Sequence, residues 1–376
     1  MFNPFKKKKP NIIMILIDGT RFDAIEKTPF YQELKKESVF FSQLITYAPY
    51  TLASLNSLFS GIYGYKNGVN GYYKAYSFDK ENCFTLAQYL KEAGYYTEAD
   101  FLRDGLAPTQ GFGKPRAHDE FHDDLLIRHS EILTLIKTKE PFFLFLHYSK
   151  IHANAVTVAK NYTDFDEKFF NKRDENFKNY LGWVQESSDY LKTIIKKIKE
   201  EHLWENSIIL ILSDHGVSVG ERPGEKMYGS YLYDYTIRCF LYLIGKKFLK
   251  NLEIKNIIRN IDILPTILDI LKIKEKNNYK KIQGKSFLPF IYGKEEDRIA
   301  YSETGGLGGP TPSPEIHNVR AVRTNEWKLI YNETNKKKEL YNLVEDKEEK
   351  NNLIGKNSDI EDTLWKEMMK FQDLNE

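Results

Sequence analysis

The sequence predicts an α/β fold, a doubly wound and mostly parallel sheet flanked by helices, followed by a small C-terminal α+β subdomain. Three observations predict it. Four short runs, Ile12–Ile17, Phe142–Leu146, Ile208–Leu212 and Cys239–Ile244, are apolar without alternation, as strands covered on both faces are. Helix-patterned stretches lie between them. After about residue 295 the chain changes to short alternating segments behind a Gly/Pro-rich stretch, which reads as antiparallel structure.

The first run, Ile12–Ile17, is closed by Asp18 and preceded by Lys6–Lys9. A basic stretch before an apolar one imitates a signal peptide, yet this run is shorter than an h-region of about 7–15 residues and no small-residue cleavage site follows. It reads as a buried strand of a cytoplasmic protein, one that meets a membrane only peripherally. Thr85–Ala93 is helix-patterned and stops at Gly94. Asn179–Glu201 places Leu181, Val184, Tyr190, Leu191, Ile194, Ile195 and Ile198 near a 3.6 period with lysines opposite,. Ile261–Leu271 reads as a helix if Pro265 falls in its first turn. Gly305–Pro314 reads as a loop, Val319–Thr324 and Trp327–Tyr331 as antiparallel strands, and Asp359–Phe371 as a closing helix. These readings divide the chain into a main α/β domain over 1–295 and a C-terminal subdomain over 296–376.

Composition excludes several classes. Lys+Arg 55 against Asp+Glu 53 leaves a net charge of +2, so no basic field argues for nucleic acid. Two cysteines, Cys83 and Cys239, cannot build a disulfide framework or a thiolate zinc site. No run approaches the roughly 18 apolar residues of a membrane span. Oligomeric state is not readable.

The residues just past the strands carry the chemistry. Ile12–Ile17 delivers Asp18, Phe142–Leu146 delivers His147, and Ile208–Leu212 delivers Ser213, Asp214, His215 and Gly216. Ligands of open parallel sheets bind beyond the carboxyl ends of the strands, so metal-capable side chains from three strand ends aim at one edge. Asp214-His215-Gly216 offers a hard oxygen, a borderline nitrogen and room for close approach; it fits a turn with a satisfied histidine equally well. In Tyr47–Gly61, Thr51, Ser54 and Ser57 precede or enter a helix whose N-terminus suits an anion, although a plain N-cap is the commoner use of a threonine there.

The ordered motifs PNIIMILIDGTRFD, APYTLASLNSLFSG, FTLAQYLKEAGYYTEA, FLHYSKIH, NSIILILSDHGVSVGE, LYDYTIRCFLYLI, IDILPTILDILKI, GKSFLPFIYG and AVRTNEWKLIY with KKELYNLVEDKEEKNNL closely resemble the sulfatase family of the alkaline-phosphatase superfamily, from about Pro10 to about Leu353. The resemblance implies that Asp18, Asp214 and His215 are metal ligands and that Thr51, also a ligand, stands at the nucleophile position. It implies His152 or His147 as the acid that protonates the leaving oxygen, and Lys226 and Arg222 as substrate contacts.

Three departures qualify what the resemblance implies. Thr51, Ala53 and Leu55 replace the Cys-x-Pro-x-Arg pattern that formylglycine formation requires, and Thr51 resembles the threonine of phosphoethanolamine- and phosphoglycerol-transferase relatives. Asp18-Gly19 replaces two successive aspartates. Tyr228 and Arg222 stand where relatives carry histidines, which argues for one metal site over two. The mixed oxygen and imidazole set favours Zn²⁺ or Mn²⁺ over Ca²⁺. The expected activity is metal-dependent hydrolysis or transfer of phosphoesters, of small molecules, glycans or lipid headgroups, through a covalent Thr51 intermediate. The alternatives are a sulfuric-ester hydrolase without formylglycine and a non-catalytic relative that binds anions. His317 is read as a loop residue.

Overall fold

The computed structural model describes residues 8–372 apart from 72–73, 75, 164, 295, 297, 306, 309–310 and 313–317. Nine strands form one sheet: β1 (Asn11–Ile17), β2 (Val39–Ile45), β3 (Tyr96–Phe101), β4 (Lys114–Ala117), β5 (Phe142–Tyr148), β6 (Ser207–Leu212), β7 (Arg238–Ile244), β8 (Leu252–Ile254) and β9 (Ile258–Arg259). Their order is β4-β3-β5-β1-β6-β7-β2-β8, with β9 on β2. β1 lies centrally, parallel to β5 on one side and β6 on the other, with Ile12 opposite both Phe143 and Ile208. β7 runs antiparallel to both of its neighbours. Its run Cys239–Ile244 is as continuously apolar as the others because it too is covered on both faces, so unbroken apolarity reports burial and not strand direction.

The period-2 geometry of β1 feeds two cores at once. Ile13, Ile15 and Ile17 point to one face, where Leu144, Ile211 and the long helix Arg173–Glu200 pack through Leu191, Ile194 and Ile198. Ile12, Met14 and Leu16 point to the other, against Leu55, Leu58 and Phe59 of the helix Thr51–Ser60 and against Ile263, Leu264 and Ile267 of the helix Ile263–Leu271. All six β1 side chains are fully buried; each is worth roughly 1.5–3 kcal/mol of transfer free energy.

Local signals explain the boundaries. Thr85 and Gln88 form a capping box at the head of Leu86–Glu92,, and Gly94 follows with φ +85°. Pro265 lies in the first turn of Ile263–Leu271, where its missing N–H has no intrahelical acceptor. The helix expected from Asn179 starts earlier, at Arg173, because Phe177 and Tyr180 extend its apolar face over the core.

A second, antiparallel sheet follows in the order β10 (Ala300–Gly305), β13 (Asn318–Arg323), β14 (Trp327–Asn332) and β15 (Lys337–Asn342). Leu364 and Met368 of the last helix, Ser358–Gln372, pack into the first core with Val322, Leu329 and Leu340. Within Gly305–Pro314, expected as a loop, a two-residue ladder pairs β11 (Leu307–Gly308) with β12 (Thr311–Pro312); the remaining positions are mostly outside the described residues, as is His317.

Candidate active site

The carboxyl ends of β1, β5 and β6 meet the N-terminus of the Thr51–Ser60 helix. Asp18 continues the ladder one step past β1, its N–H donating to the Tyr148 carbonyl at 3.0 Å. Gly19, in a left-handed turn with φ +71°, then reverses the chain and donates its N–H to Asp214 Oδ1 at 3.3 Å. Gly216 closes the β6 side: a Cβ there would lie 2.0 Å from the Tyr235 carbonyl oxygen, so only glycine lets the chain pass.

Thr51 is the first helical residue. Tyr50, extended at φ −157°, occupies the N-cap and makes no side-chain cap. The Thr51 hydroxyl is thereby spared capping and points outward, 3.3 Å from Asp18 Oδ2 and 3.1 Å from His215 Nε2. His215 Nδ1 lies 2.8 Å from the Gly216 carbonyl. A carbonyl can only accept, so Nδ1 carries a proton, and in the neutral ring Nε2 is the lone pair that faces the Thr51 hydroxyl. Behind Asp18, His147 Nε2 sits 2.9 Å from Oδ2, while its Nδ1 accepts from the Leu102 N–H.

Four groups remote in the chain therefore converge, and their electrostatics are unbalanced. Asp18 and Asp214 are both buried. Burial raises the Asp18 pKa, but His147 and the neighbouring imidazoles outweigh it and hold the carboxyl well below its usual range. Asp214 is pushed up by burial and by the charge on Asp18. Asp18 Oδ1 and Asp214 Oδ2 find no hydrogen-bond donor among the described residues, and His215 Nε2 lies 3.5 Å and 3.6 Å from these same two oxygens. Orphaned buried carboxylate oxygens are costly. Two of them facing a bare imidazole nitrogen and an alcohol fit a divalent cation.

A cavity of about 400 Å³ opens above Thr51, lined among others by His152, Tyr228, His118, Arg103 and Glu120. His152, on the helix Lys150–Ala159, is held by Glu120 Oε2 at Nδ1 (2.5 Å) and by the Tyr228 hydroxyl at Nε2 (2.8 Å). The Tyr228 ring also lies over His215, with centroids 4.7 Å apart.

The other expected site residues are elsewhere. Both nitrogens of His147 are engaged away from the cavity, so it orients Asp18 and has no free proton for a leaving group. Lys226 turns its ammonium to the Tyr162 carbonyl at 2.6 Å and lines a separate small recess. Arg222 bonds the Glu349 carbonyl and stacks over Tyr233 at 4.6 Å. Neither cation lines the cavity above Thr51. Arg103 is the basic residue that lines the cavity.

The model of the sulfatase family matches residues 10–273. The chain belongs to the sulfatase family. It shares that family's alkaline-phosphatase-like fold, and a model of the C-terminal part of N-sulphoglucosamine sulphohydrolase matches residues 227–374. The ulvan-active sulfatase of Formosa agariphila is 23% identical over 347 residues, 86% of this chain and 66% of that protein. Arylsulfatase K of Gallus gallus is 29% identical over 160 residues, 40% of this chain and 28% of that protein. The matches with these two relatives thus span 66% and 28% of their lengths.

Solved structures resemble this sulfatase-family chain over nearly its whole length. A protein in complex with its substrate D-glucosamine-2-N,6-O-disulfate matches with a TM-score of 0.78 at 16% identity, over 98% of both chains. The phosphonate monoester hydrolase of Silicibacter pomeroyi matches at 0.76 and 15% identity, over 98% of this chain and 96% of that one. At such identities the likeness is one of fold. Among the described residues no helix is long and apolar enough to cross a membrane.

Proposed function

We propose that this chain is a metal-dependent hydrolase of sulfuric esters of a sugar or aryl alcohol, with Thr51 as the nucleophile. The observation that carries the reading is the convergence of the Thr51 hydroxyl with Asp18, Asp214 and His215 beneath an open cavity. Sulfate as the leaving anion is supported by the relatives, which are named as sulfatases, and a sugar ester by the disulfated glucosamine bound to a protein of the same fold.

A divalent cation held by Asp18, Asp214, His215 and the Thr51 oxygen would lower the pKa of that alcohol and offset charge on the ester oxygens. Zn²⁺ or Mn²⁺ suits this mixed oxygen and nitrogen set. His147 fixes Asp18 from behind. The Thr51 hydroxyl gives up its proton to solvent, its oxygen attacks sulfur as the bond from sulfur to the alcohol oxygen breaks, and the proton on His152 Nε2 passes to that departing oxygen. N–H groups in the first turn of the Thr51–Ser60 helix face the anion. Water then attacks sulfur in the Thr51 ester as the bond from sulfur to the Thr51 oxygen breaks; sulfate leaves, and the two protons of the water return to His152 Nε2 and to the Thr51 oxygen.

A second reading, phosphoester hydrolysis or phospho-group transfer by the same residues, is favoured by Thr51 itself. A threonine cannot become the formylglycine hydrate that expels sulfate by internal elimination, whereas a threonyl phosphate yields to water or an acceptor alcohol. The test is side-by-side assay of the metal-loaded protein on 4-nitrophenyl sulfate, 4-nitrophenyl phosphate and bis(4-nitrophenyl) phosphate. Sulfate release is expected; phosphate esters turned over alone establish the second reading. Turnover of none, together with substoichiometric metal, makes the chain an anion-binding relative.

A further inference from the structure

A second cluster of metal-capable side chains lies beside the first, with the His118 and His147 ring centroids 5.9 Å apart. Asp100 Oδ2 is 3.0 Å from both His118 Nδ1 and His129 Nε2. Arg128 donates to the same carboxylate, NH2 reaching Oδ1 at 2.8 Å. The outer ring nitrogens are satisfied as well, His129 Nδ1 by the Tyr190 hydroxyl at 2.5 Å and His118 Nε2 by Ser149 Oγ at 2.8 Å. Asp18 and Asp214 each leave an oxygen orphaned; no side-chain atom of Asp100, His118 or His129 does. With Arg128 already supplying the counter-charge, this cluster is a sealed polar brace that has no use for a cation.

Two lines run from the brace to His152. His118 grips Ser149, the residue at the N-cap of the Lys150–Ala159 helix that carries His152. Two positions beyond His118, Glu120 takes His152 Nδ1 at 2.5 Å, and the Glu120 carbonyl accepts from Lys150 Nζ at 2.8 Å. Residues 118–120 therefore hold residues 149–152 at three points.

We propose that Glu120 is the positioning residue for His152, fixing its ring and keeping Nδ1 protonated so that Nε2 can give its proton to the departing alcohol. This rests on His152 being the acid of the proposed reaction. In that step the bond from sulfur to the ester oxygen breaks, the Nε2 proton goes to that oxygen, and the neutral ring left behind still donates Nδ1–H to Glu120. The groups facing His152 are Glu120, Tyr228, Asp18 and Asp214, with Arg103, Asp104 and Asp119 on the same cavity wall. Burial pulls the imidazolium down, but the Glu120 hydrogen bond and then the Asp18 charge outweigh it and raise the His152 pKa above 6.5. A cation shared by Asp18 and Asp214 would consume their pull, leaving Glu120 as the partner that persists.

The experiment compares Glu120→Gln with wild type on 4-nitrophenyl sulfate and on N-acetylglucosamine 6-sulfate, or on the matching phosphates if those are the esters cleaved. A nitrophenolate leaves unprotonated and a sugar alkoxide does not. The expected result is a loss of kcat of about 100-fold or more on the sugar ester, a several-fold smaller loss on the aryl ester, and an alkaline limb displaced to lower pH. Glu120→Asp, which keeps the charge, restores part of the sugar-ester rate. Equal losses on both esters, or none on either, overturn the positioning role. Thr51→Ala run in parallel separates the failures: if it stays active the functional reading falls with the proposal, and if it is silent only the role of Glu120 falls. Histidine NMR adds a readout without turnover, with the His152 titration expected to move to lower pH in Glu120→Gln; an unmoved titration also overturns the proposal.

Discussion

The Thr51 hydroxyl lies 3.1 Å from His215 Nε2, although 164 positions separate the two residues. The contact exists because a helix starts where β6 ends. Ser54, one turn into that helix, donates to the Asp214 carbonyl at 3.0 Å and bonds the Thr46 hydroxyl at 2.8 Å, so the helix N-terminus is bolted to the loop that supplies the imidazole. A hydroxyl fixed this way would need little reorganisation to act as the proposed nucleophile.

Thr51→Ala is expected to lower kcat by at least about 10³-fold, the scale of losing a group that bonds covalently to substrate. Thermal midpoint and bound metal should change little, since Thr51 makes no cap and the carboxylates remain. Steady-state kinetics with elemental analysis of the same preparation checks this. Thr51→Ser should retain measurable turnover, and activity in Thr51→Ala excludes the nucleophile.

The orphaned oxygens of Asp18 and Asp214 predict that cation binding stabilises the fold. Adding Zn²⁺ or Mn²⁺ to chelator-treated protein at about 100 times Kd should raise stability by about 2.7 kcal/mol, visible as a higher Tm, and Asp214→Asn should remove most of the gain. Burial and Asp18 raise the Asp214 pKa in the metal-free protein, so the cation competes with a proton and its affinity falls as pH falls. Calorimetry in two buffers of different ionisation enthalpy reads the released proton directly.

Gly216→Ala should damage the site through backbone alone. The new Cβ meets the Tyr235 carbonyl at 2.0 Å and Arg21 Cγ at 3.0 Å, so the segment after His215 must move. A stability loss of about 1–3 kcal/mol is expected, with loss of metal and activity together. A wild-type metal content in this variant would show that the loop has slack.

The central sheet was legible because β1, β5 and β6 are apolar on both faces, and Asp18, Asp214 and His215 were legible because each follows such a run. β2 and β3 were not: Ser42 and Gln43 interrupt one, and Glu98 and Asp100 the other, polar residues that tertiary partners satisfy. The partners of Arg222 and Lys226 also escaped a linear reading, since the Glu349 and Tyr162 carbonyls they meet lie 127 and 64 positions away in the chain. Glu120, His118 and Asp100 gave no local signal, and Tyr228 only that it stands where relatives carry a histidine. They sit on loops and on a strand near the sheet edge, and their meaning appears only when His152 is seen between Glu120 and Tyr228. A buried Asp-His-His set would have been the one recoverable hint, had the spacing of Asp100, His118 and His129 followed any metal-ligand pattern.

Glu225 gives a prediction about pH and stability that is independent of catalysis. Its carboxylate is buried in the loop that carries Tyr228, accepting from the Ser230 and Tyr231 N–H groups at 2.9 Å and 2.8 Å and from the Tyr235 hydroxyl at 3.0 Å. Burial pushes its pKa up from 4.5 to about 8, against the pull of these donors. A folded-state pKa above the unfolded value means that the native state holds the proton more tightly. The stabilisation is therefore complete below about 4.5, declines as pH rises, and is gone above about 8, at a slope of at most about 1.4 kcal/mol per pH unit. Glu225→Gln keeps an acceptor for both N–H groups, and Tyr235 can turn its hydroxyl to accept from the new amide, so the shape survives without the titration. In urea unfolding, the variant is expected to gain on wild type steadily between about pH 5 and about pH 8 and then to run parallel to it. A gap that is constant with pH would mean that Glu225 is already ionised in the fold, held by its three donors against the cost of burial.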